Sequence, residues 1–279
     1  MEPLDDCWDL IPVHEDRIRL HSVISGAGGV PLVLIHGMAS SWRQWRGSME
    51  RLKNAFPLTA LDLPGFGLSA ASRAPMAFQD FADAAEQWCR QRGWGQLAGV
   101  GHSFGGAVLL DWASRYPDRF RRVALLAPAA IDHPWFRGDL WGLQYGLIRR
   151  LAGPLILWVV STQWVGRRLF GHIVTDLNAV ERGEVLDLQW GCRRAREMLR
   201  ALHYYRFDGL MERLDRIRVP VLLGWGSADR VVPPEDADAY LARLPQAEIR
   251  WFQGCGHVPM VERRAECDDV LRWAADAHR

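Results

Sequence analysis

The sequence predicts an α/β architecture, with a mostly parallel sheet flanked by helices and interrupted by a helical insertion. Three observations predict it. Short apolar runs alternate with amphipathic ones along most of the 279 residues, and strands alternating with helices imply a parallel sheet covered on both faces. Several apolar runs stop abruptly in Gly-rich turns, at His36-Gly37, Pro64-Gly65 and Gly101-His102-Ser103. From about Ile131 to Tyr205 the alternation ceases. A segment of that length is too long for a connecting loop and reads as a helical cap set into the sheet.

The elements follow in order. After a polar N-terminal segment, Arg17 to Ile24 alternates in polarity as a half-buried strand does, and Gly26 to Gly29 supplies a turn. Leu32 to Ile35 is a continuous apolar run, the pattern of a strand buried on both faces. Trp42 to Lys53 has helical spacing, and Leu58 to Leu63 is the next strand. Phe78 to Arg92 reads as an amphipathic helix with Gly93 just beyond it. Strand Leu97 to Val100, helix Phe104 to Arg115 and strand Val123 to Leu126 follow. After the insertion come strand Val219 to Trp225, helix Pro234 to Leu244, strand Glu248 to Phe252 and a final helix Pro259 to Ala275. The division is therefore 1–130 for the first part of the core, 131–205 for the cap and 206–279 for the second part of the core.

Composition removes several function classes. The formal charge is +1, from 34 basic and 33 acidic side chains, which leaves no electrostatic footprint for nucleic acid. Cys7, Cys89, Cys192, Cys255 and Cys267 are scattered and lack ligand spacing, so neither a disulfide framework nor a metal site is expected. The acidic start, Met-Glu-Pro-Leu-Asp-Asp, has no basic and apolar leader, and a cytoplasmic location is expected. The most apolar stretch, Leu151 to Gly166, follows Arg149 and Arg150, is broken by Pro154 and is shorter than the ~20 residues of a membrane span. It leaves room only for weak contact of the cap with a membrane surface.

The chemistry lies in the turns. Gly101-His102-Ser103-Phe104-Gly105 fits G-x-S-x-G between a predicted strand and a predicted helix, the context in which a serine is thrust out on a sharp turn. The following helix aims its positive end and free N–H groups at charge developing above Ser103. A serine hydroxyl needs a base, and the base an orienting acid. His257 sits in the Gly-rich loop between the last strand and the last helix. Asp229 follows the strand ending at Trp225, at the sheet edge where open α/β folds gather ligands. The backbone N–H groups of Met38 and Phe104 are the natural donors to an oxyanion. His36 is expected to hydrogen-bond within the loop that aims Met38.

With His36-Gly37, the run Leu61-Asp62-Leu63-Pro64-Gly65-Phe66-Gly67-Leu68-Ser69, Gly101 to Gly106, Asp229 and His257 in this order, the chain resembles the α/β-hydrolase superfamily from about Pro31 to Ala275, apart from the cap. The resemblance implies a sheet of about eight strands with the cap after the sixth, and a Ser103–Asp229–His257 triad. Asp132 is the alternative position for the carboxylate, and Asp229 is preferred because Gly226 to Pro233 resembles the commoner family segment. Dehalogenases and epoxide hydrolases of this kind carry Asp where Ser103 stands. Carbon–carbon hydrolases usually have a Gly/Asn-rich oxyanion segment and Trp after the histidine, where this chain has His36-Gly37-Met38-Ala39 and Val258.

The cap is expected to choose the substrate. Trp135, Trp141, Trp158 and Trp164, among many leucines, would line an apolar pocket, while Asp176, Glu181, Glu184 and Asp187 read as a solvated helix face. The expected activity is hydrolysis of an ester of an apolar acyl or aromatic group, without a cofactor, on a small-molecule substrate. The alternatives are carbon–carbon cleavage of a vinylogous diketone, acyl transfer by the same triad, and a ligand receptor on the same fold.

Overall fold

In the computed structural model of the chain, residues 4–26, 31–131, 173–176, 180–195, 206–207 and 209–276 are described. Strands β1 (Asp5–Val13), β2 (Asp16–Ser25), β3 (Leu32–Ile35), β4 (Leu58–Leu61), β5 (Leu97–His102), β6 (Phe120–Leu126), β7 (Val221–Gly226) and β8 (Ala247–Phe252) lie in one sheet. Their order is β1-β2-β4-β3-β5-β6-β7-β8. β1 and β2 pair antiparallel, as do β2 and β4, and every other pairing is parallel.

The N-terminal segment that reads as polar is a strand. β1 pairs with β2 along its whole length, from Asp5 opposite Ile24 to Val13 opposite Asp16. Its Asp5, Asp6 and Asp9 hide the pattern, and as an edge strand it buries only Ile11 and Val13.

The sheet is buried because alternate residues feed two separate cores. In β3, Val33 and Ile35 join the core on one face, and Leu32 and Leu34 join the core on the other. Each such fully buried side chain contributes roughly 1.5–3 kcal/mol. One face is covered by α2 (Phe78–Gln91) and α3 (Phe104–Arg115). α2 buries Phe78, Phe81, Ala82, Ala85, Trp88 and Cys89, the i, i+3, i+4, i+7 spacing of a single helical stripe. On the other face lie α1 (Arg46–Leu52) and residues of the C-terminal helices.

Two helices are divided where the sequence predicts them continuous. Trp42–Trp45 is a 3₁₀ turn that opens before α1. The final helix is split into α6 (Pro259–Glu262) and α7 (Arg264–Ala275), with Arg263 non-helical at φ −132°. Between them in the chain, α4 (Arg182–Arg194) lies between β6 and β7, and α5 (Asp236–Arg243) links β7 to β8. The acidic face expected on α4 is not simply solvated. Asp187 is buried and accepts from Arg43 and Arg46 at 3.2 and 2.7 Å, and Glu184 accepts from Arg264 at 2.5 Å. These pairs join α4 to the core. No described helix is long and apolar enough to cross a membrane.

Candidate active site

The strand order places the site. β3 and β5 are parallel neighbours, yet the chain leaves β3 toward β4 and leaves β5 toward β6. Loops diverging to opposite sides open a crevice at the carboxyl ends of the strands. Met38 follows β3 and Ser103 follows β5, so the two loops flank this point.

Ser103 joins β5 to α3 in a conformation that side chains rarely adopt, φ 52° and ψ −119°. The surroundings over-determine it. Its N–H donates to Leu126 O at 2.9 Å, and its carbonyl accepts from Gly106, Ala107 and Ala129. At Gly105 the helix presses so close to β3 that a Cβ would lie 2.3 Å from His36 O. Such strain costs of order 1–3 kcal/mol and persists only where packing enforces it.

Asp229 and His257 come from loops after β7 and β8. These loops meet backbone to backbone, since a Cβ on Gly226 would stand 2.1 Å from Gly256 O. His257 Nδ1 lies 2.7 Å from Asp229 Oδ2. Asp229 Oδ1 accepts the N–H groups of Val231 and Val232 at 2.8 and 3.0 Å. A carboxylate against Nδ1 makes that nitrogen the donor and leaves Nε2 as the basic nitrogen. The His257 N–H donates to Ile173 O at 2.7 Å.

The loop that carries Met38 is held by buried side chains. His36 donates from Nδ1 to Gly37 O at 2.7 Å and accepts the Leu63 N–H on Nε2 at 3.1 Å. Burial pushes its pKa down, so the ring is neutral, as these two bonds require. Gln44 Oε1 accepts the Gly37 N–H at 3.2 Å. Asp62 accepts the amides of Trp42 and Leu68 at 2.7 and 2.9 Å and lies 2.8 Å from His21 Nδ1. The structure thus puts Asp62 under the segment carrying Met38, and its buried carboxylate is used in structure. Phe104 is buried at the start of α3.

Three further residues act here that sequence reasoning did not single out. Gln44 is one. Glu262 is another: its Oε1 accepts the Gly256 N–H at 3.0 Å, and its Oε2 accepts the Thr175 N–H at 2.8 Å. The break between α6 and α7 follows directly after it. His102 is the third, with Nε2 2.8 Å from His257 O. The only sequence signal was a carboxylate in an apolar stretch for Glu262 and membership of the elbow motif for His102. Trp135, Trp141, Trp158, Trp164 and the alternative carboxylate Asp132 lie outside the described residues. Among the described residues no cluster of His, Cys, Asp and Glu could hold a metal ion.

Comparison with known proteins identifies the fold family. The family model described as alpha/beta hydrolase fold matches residues 30–263. The chain is similar to the dihydrolipoyllysine-residue acetyltransferase component of the acetoin cleaving system of Cupriavidus necator, 26% identical over 264 residues. That alignment covers 92% of this chain and 66% of the relative, so the chain spans just under two thirds of it. It is 28% identical over 257 residues to a pimeloyl-[acyl-carrier protein] methyl ester esterase of Nitrosomonas europaea, covering 87% of this chain and 96% of that protein. Among solved structures, a thermophilic esterase from Thermogutta terrifontis superposes with a TM-score of 0.78 at 22% identity, covering 99% of this chain and 100% of that one. At that identity the likeness is one of fold.

Proposed function

The chain belongs to the alpha/beta hydrolase fold family, and from that premise we propose that it is a serine hydrolase cleaving esters of largely apolar acyl or aromatic acids. Two observations carry the reading, the buried Asp229–His257 hydrogen bond, 2.7 Å long, and a serine held at positive φ in a strand–helix turn.

In this reading His257 Nε2 takes the Ser103 proton as Oγ attacks the ester carbonyl carbon. The oxyanion that forms accepts from the N–H groups of Met38 and Phe104. The tetrahedral intermediate collapses, the C–O bond to the alcohol breaks, and His257 returns its proton to the departing alkoxide. Water then attacks the acyl-enzyme by the same route, giving the acid and free Ser103. Asp229 keeps the ring in the productive tautomer and stabilises the imidazolium. The reaction needs no cofactor. Substrate selection falls to the 131–205 insertion, with Trp135, Trp141, Trp158 and Trp164 as pocket residues.

The ester reading is supported by the methyl ester esterase relative, which the chain matches over 96% of its length. Acyl transfer to an acceptor other than water is the second reading, favoured by the acetyltransferase relative. A fluorophosphonate probe and p-nitrophenyl esters of graded chain length test the proposal. Labelling at Ser103 with turnover rising toward longer or aromatic acyl groups is expected. No turnover anywhere in that panel, with turnover of a ring-fission dienoate, would sink it in favour of carbon–carbon cleavage. Product partition between water and an added alcohol or thiol separates hydrolysis from transfer.

A further inference from the structure

His102 stands next to the proposed nucleophile in sequence, yet its partner is 155 residues away: Nε2 lies 2.8 Å from the carbonyl oxygen of His257. The two rings are 4.7 Å apart between centroids and inclined at 48°. Resting on the assignment of His257 as the base, we propose that His102 is a positioning residue that fixes His257 through its main-chain carbonyl and its ring face.

Chemistry settles the protonation of His102. A carbonyl can only accept, so Nε2 carries the proton and donates. Nδ1 is buried and has no hydrogen-bond partner among the described residues. It faces Gly37 closely enough that a Cβ there would lie 2.8 Å from it. A second proton on Nδ1 would therefore be buried without an acceptor, which is costly. Burial, with His257 close by, pushes the pKa of His102 well down, in the same direction. His102 supplies a donor without a charge. It can touch the base while that base becomes an imidazolium, and it does not compete for the proton.

The arrangement leaves His257 little freedom. Its N–H is tied to Ile173 O, its C=O to His102, and its Nδ1 to Asp229. The first two fix the backbone from which the ring projects, and the third fixes the ring's rotation. Asp229 grips only the ring and leaves the main chain of His257 to other partners. His102 and Ile173 hold its main chain. A displacement of about 1 Å in a catalytic group can cost ~10²-fold in rate.

The experiment compares wild type with His102→Gln, His102→Asn and His102→Leu, reading fluorophosphonate labelling rate, kcat and KM on one p-nitrophenyl ester, and Tm. Gln places an N–H donor near the position of Nε2, Asn ends short of it, and Leu has no donor. His102→Leu is expected to lower both kcat and labelling rate by about 10- to 100-fold, with KM within about twofold, and His102→Gln to recover to within about fivefold of wild type. Equal losses in the Gln and Leu variants, an unchanged rate in Leu, or a change confined to KM overturns the proposal. If His102→Leu fails to fold, the Gln and Asn pair decides: a rate lost in Asn and kept in Gln supports it, and equal rates overturn it. Labelling that persists in His257→Ala overturns the underlying assignment of the base and the proposal with it, whatever the His102 variants do.

Discussion

Asp229 spends both carboxylate oxygens on fixing His257: Oδ2 lies 2.7 Å from Nδ1 of the ring, and Oδ1 is pinned by the Val231 and Val232 amides. The amides stop the carboxylate from rotating, so the position of one oxygen sets the tautomer of a histidine 28 residues away.

Asp229→Asn keeps the shape and removes the charge. An amide facing Nδ1 presents either a carbonyl or an N–H group, and a flip to the N–H traps the wrong tautomer. We expect kcat to fall by up to ~10⁴-fold. Steady-state kinetics on the best ester of the panel checks it, and a loss under about tenfold would assign the orienting role elsewhere.

Ser103 separates chemistry from stability. Ser103→Ala and Ser103→Gly should both lose ester turnover, but they should not melt alike. Alanine retains the strain at φ 52°, whereas glycine releases of order 1–3 kcal/mol of it and gives back about 0.5–1 kcal/mol in chain entropy. Ser103→Gly is thus expected to have the higher Tm. Equal melting of the two variants would show that the elbow stores no strain.

His21 ties fold stability to pH. It is buried, with Nδ1 2.8 Å from Asp62 and Nε2 2.9 Å from Asp6. Burial alone would lower its pKa, but the two carboxylates together raise it above 6.5. A raised folded-state pKa gives stability that is complete below the unfolded value and lost as pH rises through the folded one. Wild type should exceed His21→Gln by about 1–3 kcal/mol at pH 6, with the gap closing at higher pH. A gap that is flat across that range contradicts an imidazolium at this position.

Glu86 gives the opposite slope. Burial pushes its carboxyl up, but hydrogen bonds from Arg119, Trp112 and Arg90 outweigh it and hold the pKa below 4.5. Its contribution is present above the unfolded pKa and is lost as pH falls through the lower folded one. Glu86→Gln should cost about 1.5–3 kcal/mol at neutral pH and less at pH 3. Denaturant titrations of both proteins at the two pH values measure it.

Much was legible in the chain because the signals are local. Leu32 to Ile35 announces a doubly buried strand, and G-x-S-x-G between strand and helix announces the elbow, since each depends on neighbouring residues alone. The order Ser103, Asp229, His257 is likewise a property of the sequence. β1 was not legible: Trp8 and Leu10 are exposed and Asp9 interrupts them, so only its antiparallel pairing with β2 identifies it. The ion pairs of Asp187 were hidden for a similar reason, as a charged helix face looks the same in sequence whether it meets water or Arg43 and Arg46.

The sequence by itself determined which faces of the strands are apolar, where the chain must turn sharply and which residue types stand at those turns. Tertiary structure alone decided what meets across the sheet. His102 reaches the carbonyl of His257, and Glu262 reaches Gly256 and Thr175, because the parallel sheet gathers the carboxyl ends of β5, β7 and β8 on one edge. The physical reason is range. Side-chain periodicity is set by backbone geometry within a few residues, whereas a hydrogen bond between distant residues exists only after burial of the two apolar cores has fixed strand order and register.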